Sequence, residues 1–308
     1  MNFLQGMSGN TKGALIMMVS MAGFVSNDTC MKLMAGEVPL YQLLLLRGIL
    51  ATALLVVIAA ILGQLTFRMS GRDALLILLR SLAEVGAAYF FLTALFNMPL
   101  PNVTAILKSI PLVLSLAAWA FFNEPLGWRR MSAILIGLVG VIVIINPTGD
   151  GFNIYSVYAL AALGFVVVRD LTTRKLTGAV PSIMVTIATS FAVMVAFGVA
   201  SAWQDWVVMT PRQTGLTVAS ALFVCLGYLT SVMVMRVGDI SFVAPFRYTG
   251  LVWALILGWL VFGFWPSTQT LIGAGIVVGS GLFMLWRERK LSRKPLAGTT
   301  RAAAAPRG

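Results

Sequence analysis

Long apolar stretches alternate with short polar connections along almost the whole chain. Each stretch is about 20 residues long, which is the length that a helix needs to cross the hydrocarbon of a bilayer. The connections hold turn-forming residues, as at 98–101, where the sequence reads Met-Pro-Leu-Pro. The pattern predicts an all-α integral membrane protein, with ten transmembrane helices at about residues 11–34, 39–63, 72–97, 101–122, 129–146, 152–174, 181–203, 213–236, 240–263 and 267–287.

The chain also contains a pattern that is written twice. The segment 28–39 recurs in the second half of the chain as 170–181. Both copies hold an acid, a base four positions on, a glycine four positions after that, and then Val-Pro. A second echo, with nearly the same offset, pairs Tyr89 with Tyr228, Lys108 with Arg247 and Gly140 with Gly279. Because the two offsets nearly agree, they indicate a duplicated unit of five helices.

An odd number of spans per unit makes the second copy enter the membrane upside down. The sequence therefore predicts two inverted five-helix repeats, related by an axis in the membrane plane. We place repeat 1 at 11–147 and repeat 2 at 152–287. The remaining segment, 288–308, is basic, rich in Ala and Pro and without apolar periodicity, so we predict a disordered cytoplasmic tail.

The charge balance is that of a membrane protein and argues against a nucleic-acid partner. Hydrophobic residues make up 59% of the chain and charged residues 10%, although the net charge is +12. Fifteen of the 22 Lys and Arg residues fall in loops and tails on one side of the predicted topology, as the positive-inside rule requires. We therefore predict a multi-pass protein of the bacterial inner membrane, surrounded by lipid, with both termini in the cytoplasm.

The chain lacks the residues that most enzymes and ATP-driven pumps need. It has no histidine, and its two cysteines, Cys30 and Cys225, lie within predicted spans without metal-ligand spacing. It also lacks the glycine-rich phosphate-binding loop of ATPases. The sequence therefore predicts no cofactor, no metal site and no catalytic residue, and any active transport would draw on a gradient.

Ionisable residues within the predicted spans are the first candidates for function. Each costs roughly 2.5–3.5 kcal/mol at the bilayer centre, so such residues usually face a cavity or a partner. Arg80 and Glu84 are four positions apart and share a helix face, which predicts that they pair. The pair is either a self-neutralised packing contact or a functional one, with Glu84 as a proton-coupling or substrate-contacting acid.

The repeated polar segments and the matched cations suggest two further roles. The pairs Asp28–Lys32 and Asp170–Arg174 lie near opposite faces of the membrane, so we expect inter-helix or gate contacts there. Two more cations occupy matching positions in the middle of the fourth and ninth spans and are expected to converge near the midplane. They either hold a carboxylate, phosphate or carbonyl edge of a substrate or are satisfied by acids and backbone carbonyls; they are Lys108 and Arg247.

Aromatic and glycine residues in the same spans give the remaining candidates. The aromatic residues either contact a ligand or simply face lipid and the membrane interfaces; they are Tyr89, Tyr228, Tyr248, Trp253 and Trp119. Glycines along spans 5 and 10 predict either a close two-helix contact or a homodimer face; they are Gly137, Gly140, Gly273, Gly275 and Gly279.

The repeated element Asp-x3-Lys/Arg-x3-Gly-x-Val-Pro resembles that of the drug/metabolite transporter superfamily, EamA type. The turn at 123–125, Asn-Glu-Pro, is similar to that family's acidic-Pro turn, and the helix after it carries Gly137 and Gly140. The resemblance covers about residues 11–287. In the second half, 263–266 reads Gly-Phe-Trp-Pro and departs from the acidic turn.

The resemblance implies a secondary transporter of a small metabolite, working by alternating access, with a cavity between spans 3, 4, 8 and 9. The pair Arg80-Ser81 and the segment 108–111, Lys-Ser-Ile-Pro, are similar to the riboflavin-importer and S-adenosylmethionine-importer branches. Riboflavin uptake is the best specific expectation. The alternatives are transport of S-adenosylmethionine or export of amino acids or drugs, and a membrane enzyme or a channel fits least.

Overall fold

The computed structural model describes residues 8–65, 69–123, 126–146, 153–177, 180–237 and 240–292 of the 308-residue chain. Every regular element in these ranges is helical. A short 3-10 segment, Ala244–Tyr248, lies between α10 and α11. The α-helices are α1 (Gly9–Leu33), α2 (Leu40–Ile61), α3 (Gly71–Asn97), α4 (Leu100–Leu107), α5 (Ile110–Phe122), α6 (Trp128–Ile145), α7 (Ile154–Arg174), α8 (Ser182–Ser201), α9 (Pro211–Val237), α10 (Ile240–Val243), α11 (Thr249–Phe262) and α12 (Thr268–Ser292).

The described helices include ten segments long and apolar enough to cross a membrane, which confirms the predicted number. The helices α4 and α5 together form the fourth span, and the ninth span combines the 3-10 segment with α11. The predicted tail is partly wrong, because α12 continues to Ser292 and residues 288–292 are therefore helical. The rest of the tail, the turn residues 124–125 and the link 147–152 lie outside the described residues.

Polar side chains and positive backbone φ angles mark the helix ends. Ser8, Ser70 and Asn153 accept backbone N–H groups at the starts of α1, α3 and α7. At the other end, Asn123 and Asn146 take up the left-handed conformation and stop α5 and α6. These caps set the lengths of the spans and hence the depth of each side chain in the membrane.

The fourth and ninth spans are interrupted near their middles. In the fourth span, α4 ends at Leu107 and α5 begins at Ile110, because Pro111 has no N–H to donate to the preceding turn. In the ninth span, Pro245 lies in the 3-10 segment that precedes α11. Irregular backbone at membrane depth is tolerated where a cavity or a side chain satisfies the freed polar groups. Each break carries one of the two matched cations.

The helices pack in pairs that join the two halves of the chain. The helix α1 packs along α9, and α7 packs along α3. These two contacts are equivalent, because each joins the first span of one repeat to the third span of the other. The helix α2 packs on α8, and α6 packs on α12. In each of these two pairs, a helix of the first repeat packs on the corresponding helix of the second repeat. This is the pairing expected of inverted repeats. It sets α1 and α7, which carry the repeated acids, against helices of the opposite half.

Glycines bring α6 and α12 into direct backbone contact. A Cβ atom on Gly140 would lie 2.9 Å from the carbonyl oxygen of Gly273, and a Cβ on Gly273 would lie 2.7 Å from the carbonyl oxygen of Gly140. The structure therefore uses these glycines for a contact within one chain, which is the first of the two predicted uses. Nothing lies within 4 Å of a Cβ built on Gly275 or Gly279.

The direction of each helix follows from the order of crossing. We call the side where α1 begins the N-terminal face and the opposite side the far face. The starts of α3 and α8 lie on the N-terminal face together with the end of α7. The starts of α2 and α9 lie on the far face together with the end of α1.

Candidate functional site

A network of charged side chains lies between the halves, in the middle of the helices. It contains five basic and three acidic residues, so that it carries two more positive than negative charges. Its members are connected by hydrogen bonds or by electrostatic interactions across helices. We call it the central network, and it consists of Asp28, Arg47, Arg80, Glu84, Lys108, Arg169, Asp170 and Arg247.

Arg169 of α7 is the closest partner of Glu84. Its Nη1 donates to Glu84 Oε2 at 3.0 Å, and its Nε donates to Asp170 Oδ1 at 2.9 Å. The predicted pairing of Glu84 with Arg80 is therefore wrong at short range, and Arg80 attracts Glu84 only from further away. Arg80 lies four positions before Glu84 on the same helix, but Glu84 pairs instead with Arg169 of α7, whose guanidinium also contacts Asp170. Asp170, for which the sequence predicts an inter-helix or gate contact together with Arg174, is in contact with its neighbour Arg169.

Arg80 joins α3 to α7 and α8 through hydroxyl groups. Its Nε donates to Thr173 Oγ1 at 2.8 Å, and its Nη1 donates to Thr189 Oγ1. The phenol of Tyr228 lies in the same electrostatic neighbourhood as Arg80 and Glu84. Tyr228, which the repeat singled out, therefore lies at the central network, with its ring 5.3 Å from that of Phe24 in an edge-to-face arrangement.

Asn27 connects the opposite end of the network. Its Oδ1 accepts hydrogen bonds from Arg47 Nη1 at 3.2 Å and from Ser220 Oγ at 2.7 Å, and its Nδ2 donates to Asp28 Oδ1 at 2.9 Å. Among the described residues, no basic group lies within 4 Å of the Asp28 carboxylate, although Arg47 and Lys108 attract it from further away. Arg47 thus turns inward to Asn27.

Lys32, for which the sequence predicts an inter-helix or gate contact, reaches from α1 to the end of α3. Its Nζ donates to the carbonyl oxygens of Leu95 and Met98, at 2.6 and 2.7 Å, where α3 ends at the far face. A cation at the carboxyl end of a helix stabilises the partial negative charge there. Lys32 therefore holds α1 to α3 and lies outside the central network.

Lys108 and Arg247 converge, as the repeat predicted. Lys108 Nζ donates to the backbone carbonyl of Arg247 at 2.9 Å, so that the cation of one broken span satisfies the broken backbone of the other. The guanidinium of Arg247 makes no hydrogen bond or ion pair with any described residue, although Asp170 and Arg169 lie in its electrostatic neighbourhood. Arg247 is also exposed, although it lies within the ninth span.

Aromatic rings form a continuous wall between the central network and the far face. Tyr89 lies at its centre, with ring centroids 5.2 Å from Phe90, 6.3 Å from Tyr41 and 6.5 Å from Tyr158. The wall continues from Phe90 to Phe165, whose ring is stacked at 5.5 Å. The sequence identified Tyr89 but missed the residues that α2 and α7 contribute.

The other aromatic candidates have different surroundings. Trp253 donates its Nε1 hydrogen to the carbonyl of Met18 at 3.2 Å and so fastens α11 to α1. Tyr248 is buried against Gly281, and its hydroxyl has no hydrogen-bond partner among the described residues. Trp119 is 44% exposed and lies three helical turns beyond Lys108, about 16 Å further along the span, so it is no part of the network.

Two cavities lie outside the central network. A cavity of about 420 Å³ opens beside α11 and α12, and its lining is almost entirely apolar, with Pro101, Leu255 and Val278 among the lining residues. A smaller one, of about 270 Å³, lies beside Lys32 on the far face. Within the described residues there is no cluster of acid, cysteine or histidine side chains that could hold a metal ion.

Comparisons with known proteins agree on one family. Residues 11–146 match the EamA-like transporter family. The chain is 30% identical over 205 residues to an S-adenosylmethionine uptake transporter of Rickettsia felis, over 64% of this chain and 67% of the relative. It is 29% identical over 215 residues to a riboflavin transporter of Vibrio cholerae, over 69% of this chain and 72% of the relative.

Other similarities extend over more of the chain. A second S-adenosylmethionine uptake transporter, of Rickettsia bellii, is 25% identical over 287 residues, which cover 91% of this chain and 95% of the relative. One solved crystal structure has a TM-score of 0.65 with 19% identity and covers 91% of this chain and 99% of its own. At that identity the structural likeness shows the shared fold alone.

Proposed function

This chain belongs to the EamA-like transporter family, of the drug/metabolite transporter superfamily, and we propose that it carries riboflavin into the bacterial cytoplasm by alternating access. It is a transporter rather than an enzyme, and its substrate is a small molecule. The observation that carries the riboflavin proposal is the exposed guanidinium of Arg247, which has no hydrogen-bond or ion-pair partner in the described part of the chain, together with an aromatic wall that follows α2, α3 and α7.

Riboflavin has the chemistry that such a site binds. Its tricyclic ring is flat and uncharged near neutral pH, and two carbonyl groups lie on one edge. A guanidinium donates in-plane hydrogen bonds to such an edge, and tyrosine and phenylalanine rings stack against the flat faces. In this proposal Arg247 binds the carbonyl edge, and Tyr89 and Tyr228 contribute the aromatic surroundings.

S-adenosylmethionine is the second candidate, because two of its named transporters match this chain at 30% and 25% identity. Its sulfonium group is a fixed positive charge. The central network already has two more basic than acidic residues, which repels an added cation at membrane depth. The net charge of the network therefore favours the uncharged ligand.

We assign proton coupling, if uptake is proton-linked, to Asp28 in place of Glu84. Protonation of Glu84 would give up its 3.0 Å ion pair with Arg169. Within the part of the chain that the structure describes, protonation of Asp28 gives up no ion pair within 4 Å, and its one hydrogen bond comes from the uncharged amide of Asn27. A carrier must release and take up its proton in each cycle, and Asp28 meets that need with less disruption.

We also propose that both termini lie on the cytoplasmic side of the inner membrane, because Lys and Arg are in excess in the loops of the N-terminal face. Reporter fusions at Gly149 and Gly308 test this orientation. We expect a periplasmic signal at Gly149 and a cytoplasmic one at Gly308, and the same signal at both would overturn it.

The substrate is tested by uptake into a riboflavin-auxotrophic bacterium at low external riboflavin and into proteoliposomes with labelled riboflavin. We expect growth and saturable uptake with the wild-type chain, and strongly reduced uptake with Arg247→Met at equal membrane expression. Trp119→Leu is the matched control, because Trp119 lies far from the network. Uptake of labelled S-adenosylmethionine without uptake of riboflavin would establish the second candidate instead.

A further inference from the structure

Two consecutive helices of the second repeat, α11 and α12, pack on different partners and leave a groove between them. The helix α11 packs on α1 and α4, and α12 packs on α6. The apolar cavity of about 420 Å³ is lined by both helices, and one of its lining residues is Val252. Val252 belongs to an exposed apolar stripe of α11 that continues through Ile256, Trp259 and Leu260. Such a stripe on a membrane helix faces lipid, so the groove opens towards the bilayer.

The corresponding place in the first repeat is closed by side chains. There α5 and α6 pack on each other, and Leu112 of α5 lies directly against Gly137 of α6. In the second repeat, Gly275 of α12 lines the groove, and nothing lies within 4 Å of a Cβ built on it. The groove is therefore a feature of one half of the chain, and the duplication alone does not account for it.

The groove has the depth of one leaflet. Along α12 its lining extends from Thr270, near the far face, to Leu282. At 1.5 Å per residue this distance is about 18 Å, whereas one leaflet takes up about half of the roughly 30 Å of bilayer hydrocarbon. The groove runs along the helices, which cross the membrane, and so has the direction of a lipid acyl chain. A single chain that enters from the far face therefore fits along it.

A cation lies at the far-face end of the groove. The second cavity, of about 270 Å³, is lined by Lys32, and Pro101 lines both cavities, so the two lie side by side. The ammonium of Lys32 has three N–H donors, and two of them bond the carbonyls of Leu95 and Met98. Lys32 makes no third hydrogen bond with any residue that the structure describes. One N–H thus remains for an acceptor in that cavity.

We propose that this groove binds a phospholipid of the far-face leaflet, with one acyl chain between α11 and α12 and the phosphate at Lys32. A phosphate oxygen accepts a charged hydrogen bond from the remaining N–H, and the apolar lining surrounds the chain. The inner end of the groove is formed by Pro245, Phe246 and Tyr248. The chain therefore ends against the 3-10 segment that carries Arg247. The proposal requires only that the ten spans lie in a bilayer, so it stands whatever the transported substrate is.

Photolabelling of the full-length chain tests the groove, in nanodiscs that contain phosphatidylglycerol with a diazirine on one acyl chain. We expect the labels to concentrate on groove residues such as Leu255 and Val278. Gly275→Leu places a side chain in the groove and should lower this labelling roughly tenfold, because it excludes part of the chain. Gly164→Leu on α7 is the matched control, since Gly164 is also exposed with nothing within 4 Å of a Cβ. Equal labelling in the two variants, or labels spread evenly over the exposed spans, would overturn the proposal.

Native mass spectrometry of the purified chain tests the phosphate contact. We expect the wild-type chain to retain one phosphatidylglycerol, and to retain diacylglycerol, which has the same chains without the phosphate, roughly tenfold less. Lys32→Gln should lower the retention of phosphatidylglycerol to that of diacylglycerol, and Lys32→Arg should keep it high. Equal retention of the two lipids by the wild-type chain would overturn the role of Lys32, and this comparison decides even where Lys32→Gln does not fold. Undiminished retention of phosphatidylglycerol by folded Lys32→Gln would overturn it as well.

Discussion

The ammonium of Lys108 donates a hydrogen bond to the main-chain carbonyl of Arg247, the residue at the equivalent place in the other half of the chain. The interaction uses the Lys108 side chain for the helix break, whereas the Arg247 side chain is the one that we propose to bind the substrate. Two positions that the repeat makes equivalent thus have unequal surroundings. In the proposed function, this inequality makes the binding site one-sided although the transporter is built from two related halves.

Substitution of the two cations is expected to have different consequences. Arg247→Met should lower uptake roughly 10–100-fold, the equivalent of one lost charged hydrogen bond of roughly 1.5–3 kcal/mol, without changing the melting temperature in detergent. Lys108→Met should lower both, because it leaves the Arg247 carbonyl unsatisfied. Uptake and thermal unfolding of the same preparations separate the two effects. Wild-type uptake in Arg247→Met would remove Arg247 from the binding site.

The two acids of the network provide the test of coupling. Asp28→Asn should remove the pH dependence of uptake while exchange between loaded vesicles continues. Glu84→Gln should keep the pH dependence but lower the melting temperature, because it removes one of the two acids that neutralise the partly buried Arg169 guanidinium. Counterflow and pH-jump uptake in proteoliposomes measure both. The reverse pattern would return the coupling role to Glu84.

Gly250 makes room for the Lys108 ammonium. A Cβ built on Gly250 would lie 2.5 Å from Lys108 Nζ, so Gly250→Ala must displace the cation from the break. We expect uptake to fall at least tenfold with expression retained. Gly164→Ala is the matched control, since nothing lies within 4 Å of a Cβ there and alanine is the better helix former. Equal uptake in the two variants would show that the position of Lys108 is unimportant.

Acid is expected to break the contact of Glu37, in the connection between α1 and α2, with Arg212 and Gln213 at the start of α9. The hydrogen bond from Gln213, followed by that from Arg212, holds the pKa of Glu37 below its ordinary value of 4.5. A lowered pKa means that the contact is complete above 4.5 and is lost as the pH falls through the lowered value. The distance between spin labels at Ala35→Cys and Thr214→Cys should stay short from neutral pH down to 4.5 and lengthen only below it. In Glu37→Gln the distance should not depend on pH, and lengthening already at pH 6 would contradict this origin.

The sequence predicts the architecture well because each membrane-spanning helix is one continuous apolar segment of the chain. Apolar length alone locates ten spans, and the turn residues between them locate the ends. The convergence of Lys108 and Arg247 was also accessible, because a repeat offset compares positions without knowledge of packing. Asn27 and Arg169 carried the same signal, since each precedes a repeated aspartate and each bonds it at 2.9 Å.

The partners across helices were not accessible in this way. The spacing of Arg80 and Glu84 is visible within one helix, but the packing of α7 on α3, which brings Arg169 to Glu84, depends on the whole fold. Lys32 likewise finds the end of α3, far along the chain, in preference to an acid one turn before it. Local charge spacing identifies groups that need a partner, and tertiary packing chooses the partner.

The backbone contact between α6 and α12 opposes sliding of these two helices along each other. Ile276 and Ile144 lie beside Gly140 and Gly273, so a slide of one helix along the other would drive an isoleucine into the opposite backbone. We therefore expect α6 and α12 to keep their relative position while other spans move during transport. A covalent cross-link between α6 and α12 should then leave the turnover rate unchanged, and this helix pair is where a rigid fusion partner can be attached for imaging the working protein.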